Sequence, residues 1–462
     1  MAGLGPVFAD IGQAWRELRS ARGSTENYPK VIQSMTDSGL YFASVPYIKE
    51  YLATTSSSRG EQFDALVDKV VSHVGVKQFE VMPTQFLNRS KAPTVQYIVA
   101  RKLFRKGEYD RAVQVLRGGI PSRHNVKPFA LFLEASIYAI QGKNTEAVSA
   151  YNRCISASNS ELSDAQEETR RRQLTINRDY CTVGTARAQF AAGIYDEANL
   201  SFLDLDKSSY IWPEILFEEA WNSFYLKDYN RTLGKLVTYK APILDFIFNP
   251  EIDVLRALTY MELCLWQDSN KVVDKFYSAH ERDFEGLKAF ISKHGKDYRD
   301  YYLLAKSRRD GDIRGNKLIN KVLHSIIRDP AYQELYDSFL KGRDELEIVK
   351  NLNIPNFKRI LQINLKESML LQRDLIGAYV KSQMDIYSQQ INQAFIDMSY
   401  IKLEVLERKK TSLYDPGYNM NRGRGSIANL KRTDKQYFWN FNGEFWADEL
   451  GDYVFSLKSE CQ

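Results

Sequence analysis

The chain has 462 residues, of which 44% are hydrophobic and 26% are charged. This composition is ordinary for a folded soluble protein, and the length exceeds that of a usual single domain, so several domains or an elongated repeat array is expected. The net charge of +5 is small and dispersed, which argues against a nucleic-acid or membrane footprint. No apolar run approaches the length needed to cross a bilayer, so we expect no membrane span.

The N-terminal region, residues 1–94, has apolar residues at helical spacing. Segments 11–18 and 63–74 carry this spacing, and a polar stretch rich in Ser and Thr separates them. We expect these helices to form a cap or degenerate copies of the repeats that follow.

Residues 95–280 contain five copies of one spacing pattern. Each copy has a leading Ala, a turn position seven residues later and a second small residue five positions beyond the turn. The leading residues are Ala100, Ala135, Ala186, Ala220 and Ala257, and the turn positions are Gly107, Gly142, Gly193, Lys227 and Cys264. The intervals of 35, 51, 34 and 37 residues resemble the period of tetratricopeptide repeats. The long second interval predicts an inserted loop with a lengthened helix.

The spacing has a physical reason. Small residues let antiparallel helices approach closely, and the turn residue ends the first helix of each pair. We therefore expect the five leading alanines to be buried. The predicted fold is all-α: a tetratricopeptide-like α-solenoid, then a long helical or coiled-coil hairpin and an aromatic C-terminal tail.

The resemblance to tetratricopeptide repeats also predicts a binding face. In such repeats the first helix of each pair lines a concave surface, and the residue after the leading Ala points to it. Arg101, Arg187 and Trp221 occupy that position here, and Tyr225 lies one turn after Trp221. Arginine and aromatic side chains suit an acidic or aromatic peptide, so these four residues are the predicted contacts with other proteins or peptides.

Residues 281–413 form the third predicted segment, which consists of long helices. From Val380 to Val405 the apolar residues alternate by four and three, the period of a coiled coil. We expect an antiparallel hairpin with the preceding helix, and a homodimeric coil is the alternative.

Residues 414–462 are predicted to be a linker followed by a docking tail. Eight aromatic residues lie between Tyr437 and Phe455. So much apolar surface is unfavourable in water, so the tail should pack on the chain itself or on a partner.

The four cysteines are widely spaced and form no CxxC pair, which argues against a zinc site. Cys264 is at a turn where another segment can reach it, and Cys461 ends the aromatic tail, so we predict a disulfide between them. Cys154 with Cys181 is the competing pair, and four reduced thiols in a cytoplasmic protein is the third hypothesis.

The sequence lacks common catalytic motifs. The sequence contains no GxxxxGK[ST], HExxH or GxSxG pattern. Acidic pairs such as Glu218 and Glu219 are interpreted as solvated helix faces. We therefore predict that the protein is not an enzyme and has no metal or cofactor.

Several runs together resemble one bacterial family: WPEILFEEAWNSFYLKDYNRTLGKL (212–236), TYMELCLW (259–266), IKLEVLERKK (401–410) and FWNFNGEFWADELGDYVFSLKSEC (438–461). The family comprises tetratricopeptide-repeat proteins of the envelope of gliding and predatory bacteria, including adventurous gliding motility proteins. The resemblance covers residues 95–462 and implies an exported, periplasmic scaffold. The chain shows no export signal, so a cytoplasmic adaptor or regulator in contact with nucleic acid is the alternative.

Overall fold

The computed structural model describes residues 5–21, 23–55, 60–312, 315–413, 427, 430 and 432–461. This part of the chain is predominantly helical, which confirms the prediction of a mainly helical protein. The helices are α1 (Gly5–Ala21), α2 (Tyr28–Asp37), α3 (Tyr41–Thr54), α4 (Glu61–Val74), α5 (Lys77–Glu80), α6 (Thr84–Leu87), α7 (Pro93–Arg105), α8 (Tyr109–Gly119), α9 (Lys127–Ile140), α10 (Asn144–Asp164), α11 (Glu168–Ala191), α12 (Tyr195–Phe202), α13 (Trp212–Tyr225), α14 (Tyr229–Thr238), α15 (Glu251–Glu262), α16 (Trp266–His294), α17 (Tyr298–Arg309), α18 (Lys317–Arg328), α19 (Pro330–Lys350) and α20 (Pro355–Leu413). Two short strands, β1 (Trp439–Asn440) and β2 (Tyr453–Val454), pair in parallel. Most of the predicted linker lies outside the described residues.

The chain divides into two compact units. The first unit comprises Met1–Gln141, Tyr298–Tyr302 and Asp329–Tyr379. The second comprises Gly142–Asp297, Leu303–Arg328 and Val380–Gln462. The long helix α20 therefore contributes its first half to one unit and its second half to the other.

All five turn positions of the repeat pattern have a left-handed backbone. The φ angle is 75° at Gly107, 71° at Gly142, 76° at Gly193, 59° at Lys227 and 58° at Cys264. A left-handed residue ends an α-helix, and the following N–H then bonds to a carbonyl one turn back. At the α15–α16 turn, the N–H of Leu265 donates to the carbonyl of Tyr260 at 2.8 Å. Glycine adopts this conformation freely, whereas Lys227 and Cys264 adopt it against the steric preference of a residue with a Cβ atom.

The leading alanines are enclosed. Each one is 0% exposed: Ala100, Ala135, Ala186, Ala220 and Ala257. In the second unit, Ala220 packs with Phe217, Leu236 and Leu255 of α13, α14 and α15. Because protein interiors are close-packed, the space around the Ala220 methyl group does not fit a larger side chain.

Substitution of Ala220 by Leu tests this packing. We expect Ala220→Leu to lower the free energy of unfolding by about 1–3 kcal/mol, because the longer side chain overpacks the contact between helices. Urea unfolding followed by circular dichroism measures the change. The control is Ala279→Leu on the exposed face of α16, which should change stability by less than about 0.5 kcal/mol. Equal stability of Ala220→Leu and wild type would contradict the repeat alignment.

The extra residues of the second repeat interval extend helices rather than a loop. The sequence predicts an inserted loop with one lengthened helix, but α10 continues to Asp164 and α11 already begins at Glu168. Both helices are lengthened, and a connection of three residues joins them. The inserted segment has helix-forming Glu, Gln and Arg residues, which favour continuation over a loop.

The structure contains both disulfides that the sequence poses as competing pairs. Cys154 and Cys181 join α10 to α11 with their Cα atoms 6.2 Å apart, and both residues are 0% exposed. Cys264 and Cys461 join the α15–α16 turn to the C-terminal segment with their Cα atoms 5.1 Å apart.

The apolar stripe of α20 has a different partner from the one predicted. The sequence predicts an antiparallel coiled-coil hairpin with the preceding helix α19, but the stripe residues Ala394, Met398, Ile401 and Val405 pack against α15 and α16 instead. The lengths of the helices supply a reason. At 1.5 Å per residue, the 21 residues of α19 span roughly 30 Å, whereas the 59 residues of α20 span roughly 90 Å.

Glu345 of α19 caps the N-terminus of α3 in the first unit. Its carboxylate accepts the backbone N–H groups of Phe42 at 2.7 Å and Ala43 at 2.9 Å. These N–H groups lie in the first turn of α3 and have no acceptor within the helix. Glu345 is only 4% exposed, and burial raises its pKa to about 7 against the opposing effect of the Ala43 and Phe42 hydrogen bonds.

This cap predicts a pH dependence of stability. The folded protein holds the Glu345 proton more tightly than the unfolded chain, so stability should fall as pH rises from about 4.5 through about 7. The total effect is on the order of 3 kcal/mol. In Glu345→Gln this contribution is absent, and the melting temperature should depend less on pH between about pH 5 and 8. Glu347→Gln on the same helix, whose side chain is 61% exposed, is the control and should retain the wild-type slope.

The C-terminal segment, residues 432–461, packs in the second unit. Leu450 and Tyr453 are buried among Trp212 and Leu216 of α13 and Val237 of α14. The aromatic tail thus covers apolar surface of its own chain.

Candidate protein-interaction surface

Arg187 and Glu218 form a two-bond ion pair on the second unit. The Nε atom of Arg187 donates to Oε2 of Glu218 at 2.7 Å, and Nη2 donates to Oε1 at 2.6 Å. The side chains are 46% and 30% exposed. Burial by itself would lower the pKa of Arg187. The hydrogen bonds and negative charge of Glu218 outweigh this effect, so the pKa of Arg187 is raised. The pair links α11 to α13, the first helices of two consecutive repeat copies.

Five aromatic rings lie beside this ion pair and form what we name the aromatic surface: Phe190, Tyr195, Trp221, Phe224 and Tyr225. Tyr225 is at its centre, with ring centroids 5.1 Å from Tyr195, 5.3 Å from Phe190 and 6.1 Å from Trp221. The Tyr195 and Tyr225 rings are stacked, at an interplanar angle of 21°. Tyr225 remains 49% exposed, so the cluster presents ring area to solvent.

Helical periodicity explains why these side chains meet. Residues three or four apart share one face of a helix, so Glu218, Trp221 and Tyr225 form a column on α13. Arg187 and Phe190 form the matching column on α11. Ala186 and Ala220, immediately before Arg187 and Trp221, are fully buried, which turns the following residues away from the helix contact.

Arg101 belongs to the first unit and has different partners. Its Nε atom is 2.9 Å from Oε1 of Glu80, and its guanidinium carbon is 5.7 Å from the centroid of the Tyr97 ring. Arg105 bonds to the same carboxylate at 2.9 Å. Burial disfavours the charge of Arg101, but Tyr97, Glu80 and Glu334 together raise its pKa. The Arg101 side chain is 23% exposed, so most of it is enclosed by this cluster.

Of the four predicted contact residues, the structure brings three together. Arg187, Trp221 and Tyr225 share one surface, and Arg101 is placed in the other unit. Tyr195 and the acidic partners Glu218 and Glu80 were not among the contact residues predicted from the sequence. A signal for Glu218 exists, because it follows Arg187 by 31 residues, close to one repeat period.

The interpretation of Glu219 as a solvated side chain is wrong. Glu219 is 6% exposed and accepts a hydrogen bond from Nζ of Lys235 at 2.6 Å. Leu216 and Ser223, one turn before and one turn after Glu219 on α13, are also buried, so this face of the helix is turned inward. A buried carboxylate needs such a partner, because an unpaired charge in the interior is strongly unfavourable.

No group of three His, Cys, Asp or Glu side chains in the described part of the chain could hold a metal ion. Among the helices described, none combines the length and apolarity that a membrane crossing requires. A cavity of about 620 Å³ in the first unit is lined by residues of α1, α2 and α4, including Glu17, Lys30 and Lys69.

Comparison with known proteins found no similar family. No protein-family model matches the sequence, and no curated protein matches it.

The Arg187–Glu218 pair predicts a small contribution to stability. A double-mutant cycle of Arg187→Ala and Glu218→Ala should give a coupling energy of about 0.2–1 kcal/mol, because both side chains are partly solvated. The coupling should decrease between low salt and about 1 M salt, where the Debye length is roughly 3 Å. Urea unfolding of the four proteins at both salt concentrations measures it. A coupling above about 2 kcal/mol would make the pair a structural element rather than an exchangeable surface contact.

Proposed function

We propose that this protein is a non-enzymatic scaffold that holds other proteins or peptides in the bacterial cell envelope. The observation that carries the proposal is the aromatic surface, where Tyr225 is 49% exposed and contacts Phe190, one turn along α11 from the paired Arg187. Partly exposed Tyr and Trp side chains next to an arginine are the residue types that dominate protein interfaces.

The repeat architecture supports this proposal. Five left-handed turns recur in phase with five buried alanines, as expected for a tetratricopeptide-like α-solenoid. Such arrays present side chains from consecutive first helices on one extended surface. Arg187 on α11 and Trp221 on α13 occupy equivalent positions in consecutive copies.

The partner we propose is an acidic or aromatic peptide segment. Glu218 already satisfies Arg187 within the chain, and an incoming carboxylate can exchange with it because both side chains are partly solvated. Aromatic or apolar side chains of the partner would stack on Tyr225 and Trp221. The ion pair therefore supplies orientation, while ring burial supplies most of the binding energy.

The proposed compartment is the periplasm, in a surface motility or envelope machine. The two disulfides support it, because disulfides persist in oxidising compartments and are rare in the cytoplasm. The competing hypothesis is a cytoplasmic adaptor or regulator. Peptide mapping under non-reducing conditions, on protein from its native cells, distinguishes the two: free thiols at all four cysteines would favour the cytoplasm.

Site-specific photo-crosslinking in native cells tests the binding surface. A photoreactive phenylalanine analogue at position 225 should crosslink a protein partner, and Arg187→Glu should reduce the yield at least about tenfold, which corresponds to 1.4 kcal/mol of binding free energy. The same photoreactive analogue at position 400 on α20 is the matched control, because Tyr400 is 68% exposed and lies outside the aromatic surface.

Two controls separate binding from folding. The double variant Arg187→Glu with Glu218→Arg keeps an opposite-charge pair but exchanges the positions of the charges, so its stability should match wild type while its crosslinking stays low. A partner that crosslinks equally well in wild type and Arg187→Glu would contradict the proposed surface. A nuclease-sensitive crosslinked product would favour the nucleic-acid alternative.

A further inference from the structure

One face of α14 is lined by small and polar residues that contact main chain. Asn230, Gly234 and Thr238 are four residues apart and therefore lie in one row along the helix. We name this row the peptide face. In the second unit an extended part of the C-terminal segment, residues 451–457, lies along it.

The peptide face recognises the backbone of that segment. Asn230 contributes at both its main chain and its side chain: its carbonyl accepts the N–H of Phe455 at 3.1 Å, and its Oδ1 accepts the N–H of Leu457 at 3.0 Å. Its amide nitrogen also donates to the carbonyl of Leu457 at 3.2 Å. At the other end of the row, the N–H of Gly451 donates to Oγ1 of Thr238 at 3.2 Å. These are backbone contacts of the kind that peptide-binding domains use.

Gly234 makes this close approach sterically feasible. A Cβ atom at position 234 would lie 1.6 Å from the carbonyl oxygen of Tyr453, so every other residue type would clash with the segment's main chain. Its helical neighbours Leu233 and Lys235 carry ordinary side chains. A glycine inside a helix is less favourable than alanine, and the docked segment gives a reason for its presence here.

Side chains of the segment add selectivity. Tyr453 and Val454 are each 1% exposed, and Tyr453 is enclosed by Trp212 and Leu216 of α13 and Val237 of α14. Lys207 on the body of the unit pairs with Asp452 at 2.5 Å. The site thus fits an extended segment with an acidic residue followed by Tyr-Val-Phe.

The disulfide holds the end of the segment in place. Cys461 is bonded to Cys264, and the adjacent N–H of Glu460 donates to the carbonyl of Leu263 at 2.9 Å. The two cysteines are separated by 197 residues in the sequence, so the bond removes a large amount of freedom from the released segment.

We infer that the peptide face of α14 is a binding site for extended aromatic segments, that the chain's own C-terminal segment occupies it, and that the Cys264–Cys461 disulfide locks this occupant. A dithiol reductant opens the lock: one thiolate attacks the disulfide, the second resolves the mixed disulfide, and the products are two cysteine thiols and an oxidised dithiol. The segment then becomes exchangeable. This inference does not rest on the proposed function, because none of its contacts belongs to the aromatic surface.

Amide hydrogen exchange of the full chain tests the lock. Protection of the Phe455 and Leu457 amides should fall at least about tenfold on reduction, because the tether no longer limits opening of the segment. Cys461→Ser under oxidising conditions should behave like the reduced wild type, which separates this bond from Cys154–Cys181. Unchanged protection in both samples would overturn the inference.

A peptide in trans tests the site itself. In reduced full-length Tyr453→Asp, the chain's own segment should dock poorly, because a charged side chain replaces a buried ring. A fluorescent synthetic peptide of residues 447–462 should then bind this variant at least about tenfold more tightly than reduced wild type, whose own segment competes at high effective concentration. Gly234→Ala added to the Tyr453→Asp variant should abolish this increase in affinity. Gly118→Ala on α8, where an added Cβ atom would meet no neighbouring atom, should leave the increase unchanged. Equal binding with and without Gly234→Ala would exclude the peptide face.

Discussion

Close contact between paired helices is the constraint on which the repeat region depends. A short amphipathic helix is marginal in water by itself and gains stability by burying its apolar face. The chain satisfies this need with a left-handed residue at each turn and an alanine at each leading position. The five alanines are all 0% exposed. Even where Lys227 and Cys264 replace glycine, the left-handed backbone is retained. The requirement for chain reversal therefore outweighs the local preference of the residue.

Charged side chains follow the same packing. Glu219 and Lys235 are both nearly buried and satisfy one another at 2.6 Å, and Glu345 satisfies backbone donors at the start of α3. Each is removed from water and must find a partner there. Arg187 and Glu218 differ, because they remain partly solvated and their pairing can be exchanged. Burial thus distinguishes charged side chains that stabilise the fold from those that a partner can contact.

The two surfaces of the second unit have complementary roles in our proposals. The aromatic surface presents rings and a guanidinium to solvent, whereas the peptide face of α14 is filled by the chain's own C-terminal segment. The aromatic surface is formed by α11, α12 and α13, and the peptide face belongs to α14, which pairs with α13. A repeat pair thus offers one side to a partner and the other to an internal ligand.

The sequence alone determined the helical class, the positions of the helix turns and the burial of the leading alanines. These features depend on local spacing, because small and turn-forming residues act within one helix pair. Tertiary structure decided the rest. The apolar period from Ala394 to Val405 shows only that this face of α20 is buried. It does not identify the covering helices, which the structure shows to be α15 and α16 and not α19. Likewise, nothing local to Gly234 or Glu345 identifies its partner, because each contacts main chain that folding brings from a distant part of the sequence.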